Sequence, residues 1–516
     1  MSVAQASIVM IGTLVLSRIL GWLRLSVIGA QYAGDPHQLD AFWAAFRIPD
    51  TIFNLLVAGA LASAFIPVFA GYLASESEKE AWRVASSVMN LLMLLLVGLS
   101  AVMWVLAPYL TPLLVPEFDA AQQKLTTDLT RIMLLSPIFM GLSALFTGIL
   151  NSYRQFLSGA TAPLVYNAVI ILFALFAAPF LGITALAYGV VVGAAMMWLV
   201  QVPELTFRRT NYALALDLRH PGVRQIARLA GPRTLALAAV QLVFFIDLNL
   251  SSRMEPGSVT ALYYAFQLMM LPLGVFSIAI SSAVFPALSR YASLGLALPM
   301  RDALEQATRW ILFLTIPTAV VMIVLRRPIV HLLFQYKEFG PALREATAAA
   351  FLLYAFGLIG HALVQILARG YYATKDTRTP LYLTLASIAI NVALALLLAG
   401  PLGINGLALA NSLATLVEAG LLLVLLAPRA RLRMTLLGAS FLRTMLAAAL
   451  MGLAMFLFIR LTNLTVDLEQ TKAGLLLQTL LATAVGGVTY LLISATLRIP
   501  ELGELTGALR RRQASS

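Results

Sequence analysis

"AFWAAFRIPDTIFNLLVAGALASAFIPVF" (41–69) and "ALYYAFQLMMLPLGVFSIAISSAVFPAL" (261–288) decide how this chain is read. Each is apolar for long enough to cross the roughly 30 Å hydrocarbon layer of a bilayer as a helix, which takes about 20 residues. Laid over one another, they bring Ala45-Phe46-Arg47 onto Ala265-Phe266-Gln267, 220 residues apart. Further along, "TAP" (161–163) precedes "FLGITALA" (180–187) as "RTP" (378–380) precedes "PLGINGLA" (401–408), at spacings of 217 and 221. Three separate stretches agree on one period.

Runs of spanning length between polar or Pro/Gly punctuation number fourteen, at 7–31, 41–71, 82–114, 127–150, 157–179, 182–203, 223–251, 258–288, 305–333, 346–371, 380–400, 403–426, 438–461 and 474–497; they are referred to below as spans 1 to 14. A period covering six spans returns the chain to the same side of the membrane. The repeat is therefore parallel, about an axis along the membrane normal, as in alternating-access transporters that hold substrate between two halves. The expected fold is an all-α polytopic membrane protein with fourteen transmembrane helices, arranged as two pseudo-symmetric six-helix lobes plus two C-terminal helices. The expected division is an N-lobe at 1–205, a cytoplasmic linker at 206–222, a C-lobe at 223–427, and spans 13–14 with a basic tail at 428–516.

Composition agrees with a membrane solvent: 60% of the 516 residues are hydrophobic and only 11% charged, against about 25% charged in soluble domains. Cysteine is absent, which excludes disulfides, thiolate metal sites and a Cys nucleophile. The net charge of +12 is spread singly between apolar runs rather than along a nucleic-acid-binding stripe, so membrane orientation explains it better. With both termini placed in the cytoplasm, the inside loops carry the excess of Lys and Arg, chiefly "TFRRTNYALALDLRHPGVRQIAR" (206–228), "PRARLRM" (428–434) and "RRR" (510–512). The first apolar run has no basic n-region and no A-x-A-like site, so it is read as a span and not a signal peptide.

Arginine at a helix centre costs near 2.5–3.5 kcal/mol on translocon scales, so Arg18, Arg24 and Arg47 facing lipid would cost roughly 8–10 kcal/mol. They are expected to face water, a partner or a ligand. Arg18 and Arg24 stand about 240° apart on a helix, so at least one can snorkel or pair with Asp40, Asp50 or a carbonyl. Cations concentrated in the first two spans imply an anionic ligand, and the planar guanidinium fork suits phosphate or diphosphate. The equivalent of Arg47 in the second half is Gln267, which makes the expected cavity electrostatically lopsided. Asp247 in span 7 either pairs with Arg233 or Arg253, or joins Asn391 and the Asn411/Thr415 side chains in an oxygen-rich sodium site. Glu418 is read as a satisfied polar contact.

No Walker A, G-x-G-x-x-G or H-E-x-x-H stretch is present, and nothing pairs a nucleophile with a positioned base. His37, His220, His331 and His361 are read as packed or interfacial residues. An enzyme is not expected. No cofactor is expected beyond the Na+ of the alternative above, and the driving force is expected to be the membrane potential or an ion gradient, about 2.3 kcal/mol per charge per 100 mV.

The stretches "SRILGWLR" (17–24), "DAFWAAFRIPD" (40–50), "VAGALASAFIPVF" (57–69), "GSVTALYYAFQLMMLPLGVFSIAISSAVFPALSRYAS" (257–293), "FQYKEF" (334–339) and "RGYYATKDTRTP" (369–380) resemble the MurJ/MviN family, the proposed lipid II flippases of the multidrug/oligosaccharidyl-lipid/polysaccharide exporter superfamily. The resemblance implies a bacterial inner-membrane protein whose spans 1, 2, 7 and 8 line a central cavity and whose spans 13 and 14 hold a polyprenyl tail. It implies outward transfer of undecaprenyl-diphosphate-linked peptidoglycan precursor, with cell-wall synthesis proteins as further partners. Arg18, Arg24, Asp40 and Arg47 match family positions in the first two spans, and Asp247 an acidic position in span 7 that is sometimes linked to sodium. The chain departs from the pattern at Leu25, at Phe53 and Asn54 where relatives carry arginines, at Gln267 where they carry Arg, and at Met270. The expected substrate-binding set is therefore Arg24 and Arg47, supported by Arg18, with Asp40, Asn54 and Gln267; the ion set is Asp247, Asn391 and Thr415. The departures leave open a different polyprenyl-linked oligosaccharide as cargo, or a non-transporting scaffold for cell-wall enzymes.

Overall fold

A computed structural model describes residues 3–58, 64–75, 78–206, 212–335, 339–465 and 471–504. Over these the chain is helical, with no strand among the described residues. Among the described residues, eleven helices are long and apolar enough to cross a membrane, and they fall at spans 3–6 and 8–14. At spans 1, 2 and 7 the chain is also helical, through Val3–Tyr32, through Pro36–Phe53 and Ile66–Ser75, and through Pro221–Ser251. Residues 59–63 of span 2, 336–338 of "FQYKEF", 207–211 of the basic loop and the arginines at 510–512 lie outside the described residues. Span 7 is one continuous helix, Pro221–Ser251, with arginines at 224, 228 and 233 in its first half, and its described apolar stretch is Leu237–Ser251.

The repeat is written in the backbone. Both halves widen into a π-helical turn, at Asn54–Ala58 in span 2 and at Leu273–Ile278 directly after Pro272 in span 8, where the i→i−4 ladder is disturbed. The turns entering spans 5 and 11 each pass through a left-handed non-glycine residue, Arg154 (φ 60°) and Lys375 (φ 63°). The breaks between spans 5 and 6 and between spans 11 and 12 are made by Gly182 (φ 55°, ψ −143°) and Gly403 (φ 57°, ψ −139°), whose amides donate to Ala178 and Ala399. Residues 154 and 375, and 182 and 403, are both 221 apart. The same period thus governs both apolar pattern and turn geometry.

Only glycine adopts the conformation of Gly182 and Gly403 without strain. Gly182→Ala and Gly403→Ala are each expected to cost about 1–3 kcal/mol, read as a lower midpoint in detergent-solubilised thermal unfolding. Equal midpoints for wild type and both variants would show that the turns tolerate a side chain.

Packing divides the chain into two units, Met1–Thr260 with Phe334–Gly340, and Ala261–Leu333 with Pro341–Ser516. Contact and repeat assign span 7 differently: the repeat opens the second lobe at 223, whereas the helix Pro221–Ser251 packs on spans 2 and 3 within the first unit. In that unit span 1 lies on span 5, and span 4 on spans 2 and 6. Its core includes Phe65 stacked on Phe69 at 5.5 Å and Trp82, whose indole N–H donates to the Tyr153 hydroxyl.

In the second unit, span 12 packs against spans 10 and 11, and span 9 against spans 10 and 13. A Cβ at Gly360 would sit 2.9 Å from the backbone of Thr415 and Leu416, so glycine is what lets spans 10 and 12 approach backbone to backbone. Glu305 is fully buried and accepts from the Arg433 backbone and guanidinium. This ties the start of span 13 to span 9.

"RGYYATKDTRTP" is accounted for as a helix-to-helix corner. Asp376 accepts from the Arg378 and Thr379 amides and the Thr379 hydroxyl, and pairs with Arg429 at 3.0 Å, while the Tyr371 hydroxyl donates to the Leu422 carbonyl. The Thr379 bonds, foremost, hold the Asp376 carboxyl below its ordinary range. A depressed acid stabilises the fold above its unfolded pKa of about 3.9, and that contribution is lost as pH falls through the folded value. Asp376→Asn is expected to lower the unfolding midpoint at neutral pH and to converge with wild type well below about pH 4, which flattens the acid limb of the variant. An unchanged acid limb would remove this corner from the pH response.

Candidate functional site

In the first unit, spans 1, 2 and 7 carry charge into apolar helices, Arg24 against span 5 and Arg47 against span 7. On span 2, Arg47 and Asp50 are one turn apart, their charged atoms 3.7 Å from each other, with the Arg47 side chain 17% exposed. The Arg47 guanidinium lies 4.6 Å from the centre of the Phe244 ring on span 7, a cation–π distance. Asn54 donates to Asp50 at 3.0 Å and opens the π-helical turn. Thr51 bonds back to the Arg47 carbonyl and faces Gln241 of span 7 at 3.4 Å. Gln241 and Phe244 are helical neighbours three residues apart, and Asp247 follows Phe244 at the same spacing.

Asp247 is buried at 6% exposure, and its Oδ1 accepts no hydrogen bond among the described residues. The cation whose field reaches it is Arg47. Arg253, one of the two expected partners, is instead bonded to Asn249 at 3.0 Å. The side chain of Arg233, the other, lies outside the described residues. Asp247 thus belongs electrostatically with span 2.

Arg24 on span 1 is half-buried, its guanidinium 5.8 Å from the centre of the Tyr166 ring on span 5. Its Nε is buried and donates to nothing among the described residues. No described carboxylate lies within ion-pair distance of Arg24, in contrast to Arg47. Arg18 is exposed. The two arginines of span 1 therefore divide as their angular separation requires, one inward and one outward.

Asp40 serves a different purpose from the ligand contact expected of it. At 2% exposure, its Oδ2 accepts from the Gly257 amide at 2.7 Å, and its Oδ1 from the Thr260 amide at 2.8 Å and hydroxyl at 2.6 Å. The free N–H groups at a helix start attract an anion. Asp40 caps the helix Ser258–Pro272 from span 2, so both of its oxygens are committed.

In the second unit, Gln267 donates to the Tyr263 hydroxyl at 3.1 Å. Asn391 is buried at 4% exposure with an unpartnered Oδ1, which suits a cation ligand. Thr415 donates to the Asn411 carbonyl and stands 3.4 Å from His361 Nε2, which also meets Asn411 Oδ1 at 3.1 Å. His361 is thus a packed residue, but one that engages the oxygens assigned to an ion. Glu418 is satisfied by the Thr384 hydroxyl at 2.6 Å. No group of three or more acidic, His or Cys residues is arranged to hold a metal among the described residues.

The sequence reading did not single out Tyr166, Gln241 or Phe244. The three-residue spacing that ends on Asp247 was the available signal for the latter two. Asp50 and Asp247 offset Arg47, whereas Arg24, against Tyr166, has no counter-charge among the described residues.

The family model described as "Lipid II flippase MurJ" matches residues 29–477. The lipid II flippase MurJ of Burkholderia cenocepacia is 30% identical over 401 residues, covering 76% of this chain and 77% of that protein. The probable lipid II flippase MurJ of Bdellovibrio bacteriovorus is 31% identical over 481 residues, 92% and 90% of the two chains. A solved lipid II flippase MurJ in an inward closed conformation superposes with a TM-score of 0.78 at 25% identity, over 95% of this chain and 98% of that one. An inward-facing multidrug resistance MATE family transporter of the MOP superfamily shares the fold at a TM-score of 0.67 and 16% identity, over 83% of this chain and 99% of that one. With half-repeats marked in the backbone, charges drawn inward on spans 1, 2 and 7, and a family match across most of its length, this multi-pass membrane protein belongs to the lipid II flippase MurJ family.

Proposed function

We propose that the chain is a transporter that moves lipid II, the polyprenyl-diphosphate-linked peptidoglycan precursor, from the inner to the outer leaflet of a bacterial inner membrane by alternating access, with both termini cytoplasmic. The observation that carries this reading is Arg24: a half-buried guanidinium with a donor left unused is what a diphosphate needs and what a stable apolar helix does not. Arg47 contributes a second cation whose charge is shared with Asp50, and exposed Arg18 supports from the rim. Asn54 adds a neutral donor at the start of the π-helical turn.

The membrane potential suffices as a driving force, since an inside-negative field assists outward movement of an anion and the return of an empty cationic site. If Na+ is coupled, the buried Asn391 oxygen is its best-supported ligand in the second unit, and flipping rate in Na+ against K+ buffers tests it. Rescue of a conditional flippase-depleted bacterium by this chain tests the whole reading; failure to rescue with normal membrane abundance rejects it. The two carboxylates beside Arg47 favour one second reading, a flippase for another polyprenyl-linked oligosaccharide. Purified protein that binds that lipid in preference to lipid II would establish it.

A further inference from the structure

Between spans 6 and 7 the described chain resumes at Tyr212 and runs without helix to Asp217 along the cytoplasmic end of span 3. It is pinned there by Asn90, which donates to the Ala213 and Ala215 carbonyls, and by Ser86 and Ser87, which accept from the Ala213 and Asp217 amides. With the backbone fixed, the leucines at alternate positions turn outward: Leu214 is 93% exposed, Leu216 49% and Leu218 50%. Period-two alternation is what an extended strap gives. Three neighbouring leucines facing away from the protein, on a segment that need not be apolar to form a helix, call for an apolar solvent.

Immediately after them comes an open hollow of about 390 Å³ lined by Arg219, Pro221, Arg224, Gln225, Arg228 and Leu229. Arg224 and Arg228 are one turn apart on the same helical face as Pro221 and Gln225. No carboxylate lines it. The nearest acidic residues in the chain's path are already used, Asp217 by Arg83 at 2.9 Å and Glu80 by His220 at 3.3 Å. Arg219, Arg224 and Arg228 pair with no carboxylate among the described residues. The N-terminus of the helix Pro221–Ser251 adds its partial positive charge at the same place.

We propose that the strap and hollow together form a docking site for an anionic phospholipid of the cytoplasmic leaflet, its phosphate held by Arg219, Arg224 and Arg228 while Leu214, Leu216 and Leu218 enter the acyl boundary. Apolar side chains beside a basic cluster are the arrangement that binds such a surface, and the two components recognise the two parts of one lipid. A phosphate ion would use the arginines alone; a lipid needs both.

The test uses the full chain in nanodiscs of phosphatidylcholine with or without one-fifth phosphatidylglycerol, reading retained lipid by native mass spectrometry. Arg219→Gln/Arg224→Gln/Arg228→Gln is expected to weaken phosphatidylglycerol retention on the order of 100-fold, from about 1 kcal/mol per charge near an anionic surface. The triple Arg→Lys variant is expected to keep most of it, because charge near the surface is retained. Leu214→Ser/Leu216→Ser/Leu218→Ser is expected to weaken retention at least tenfold with the arginines intact. These residues are exposed, and unchanged unfolding midpoints would verify that the variants fold. Equal retention by wild type and the Gln variant overturns the proposal. So does a Leu variant indistinguishable from wild type together with full competition by inorganic phosphate, which would identify a site for free anions.

Discussion

Arg24→Ala is expected to abolish rescue of a flippase-depleted bacterium and to weaken lipid II binding by about 30-fold to several thousand-fold, while leaving the unfolding midpoint unchanged or higher. The magnitude follows from removing one member of a desolvated charge pair, about 2–5 kcal/mol, at 1.4 kcal/mol per tenfold. The stability sign is opposite because Nε of Arg24 is buried and bonded to nothing described. A buried donor without a partner costs about 1–3 kcal/mol, and alanine removes that cost. Arg24→Lys should recover only part of the binding, since an ammonium lacks the planar fork. Arg47→Ala should lose less than Arg24→Ala, because Asp50 already offsets Arg47. Isothermal titration with a short-chain lipid II analogue, beside thermal unfolding of the same preparations, decides the matter. A variant that binds normally, or one that loses binding only in proportion to lost folded protein, would take Arg24 out of the diphosphate site.

The architecture was legible because hydrocarbon leaves few choices: a backbone that must satisfy itself becomes helix, and repetition at 220 residues identifies paired halves. The Leu181-Gly182 and Leu402-Gly403 breaks looked the weakest boundaries in the sequence, yet they carry nearly identical backbone angles. Hydropathy cannot see a φ angle; the repeat can. Span 7 was harder to place, since its repeat position assigns it to one half and its packing to the other. Arg24, Arg47 and Asp247 could be picked out because an in-membrane charge is costly wherever it occurs. Which charge answers which could not. Arg47 meets Asp50 through local helical geometry, Asp247 is held in Arg47's field through the packing of spans 2 and 7, and Arg253 turns to Asn249 on its own helix. The first and last of these follow from spacing of three and four along one helix, whereas the second rests on tertiary packing that sequence separation does not report.

Asp40→Ala is expected to destabilise the protein by about 3–5 kcal/mol, the range for removing one partner of a buried charged network, without altering lipid II affinity per folded molecule. Three donors lose their acceptor at once: the amides of Gly257 and Thr260 and the Thr260 hydroxyl. None can turn to water at 2% exposure of the site they surround, and the amides belong to a helix start that has no intrahelical partner to offer them. Asp40→Asn keeps one acceptor oxygen and the side-chain shape but substitutes an NH2 that faces a donor, so it should lose about half as much. Thr260→Val removes only the hydroxyl and should cost about 1 kcal/mol. Because Asp40 and Thr260 share one network, the Asp40→Ala/Thr260→Val double variant should be less destabilised than the sum of the two singles. Chemical unfolding in mild detergent gives all four values. A ligand-binding carboxylate would behave in the opposite way: Asp40→Ala would then unfold like wild type and lose affinity, and additive singles would show that the cap is not one cooperative unit.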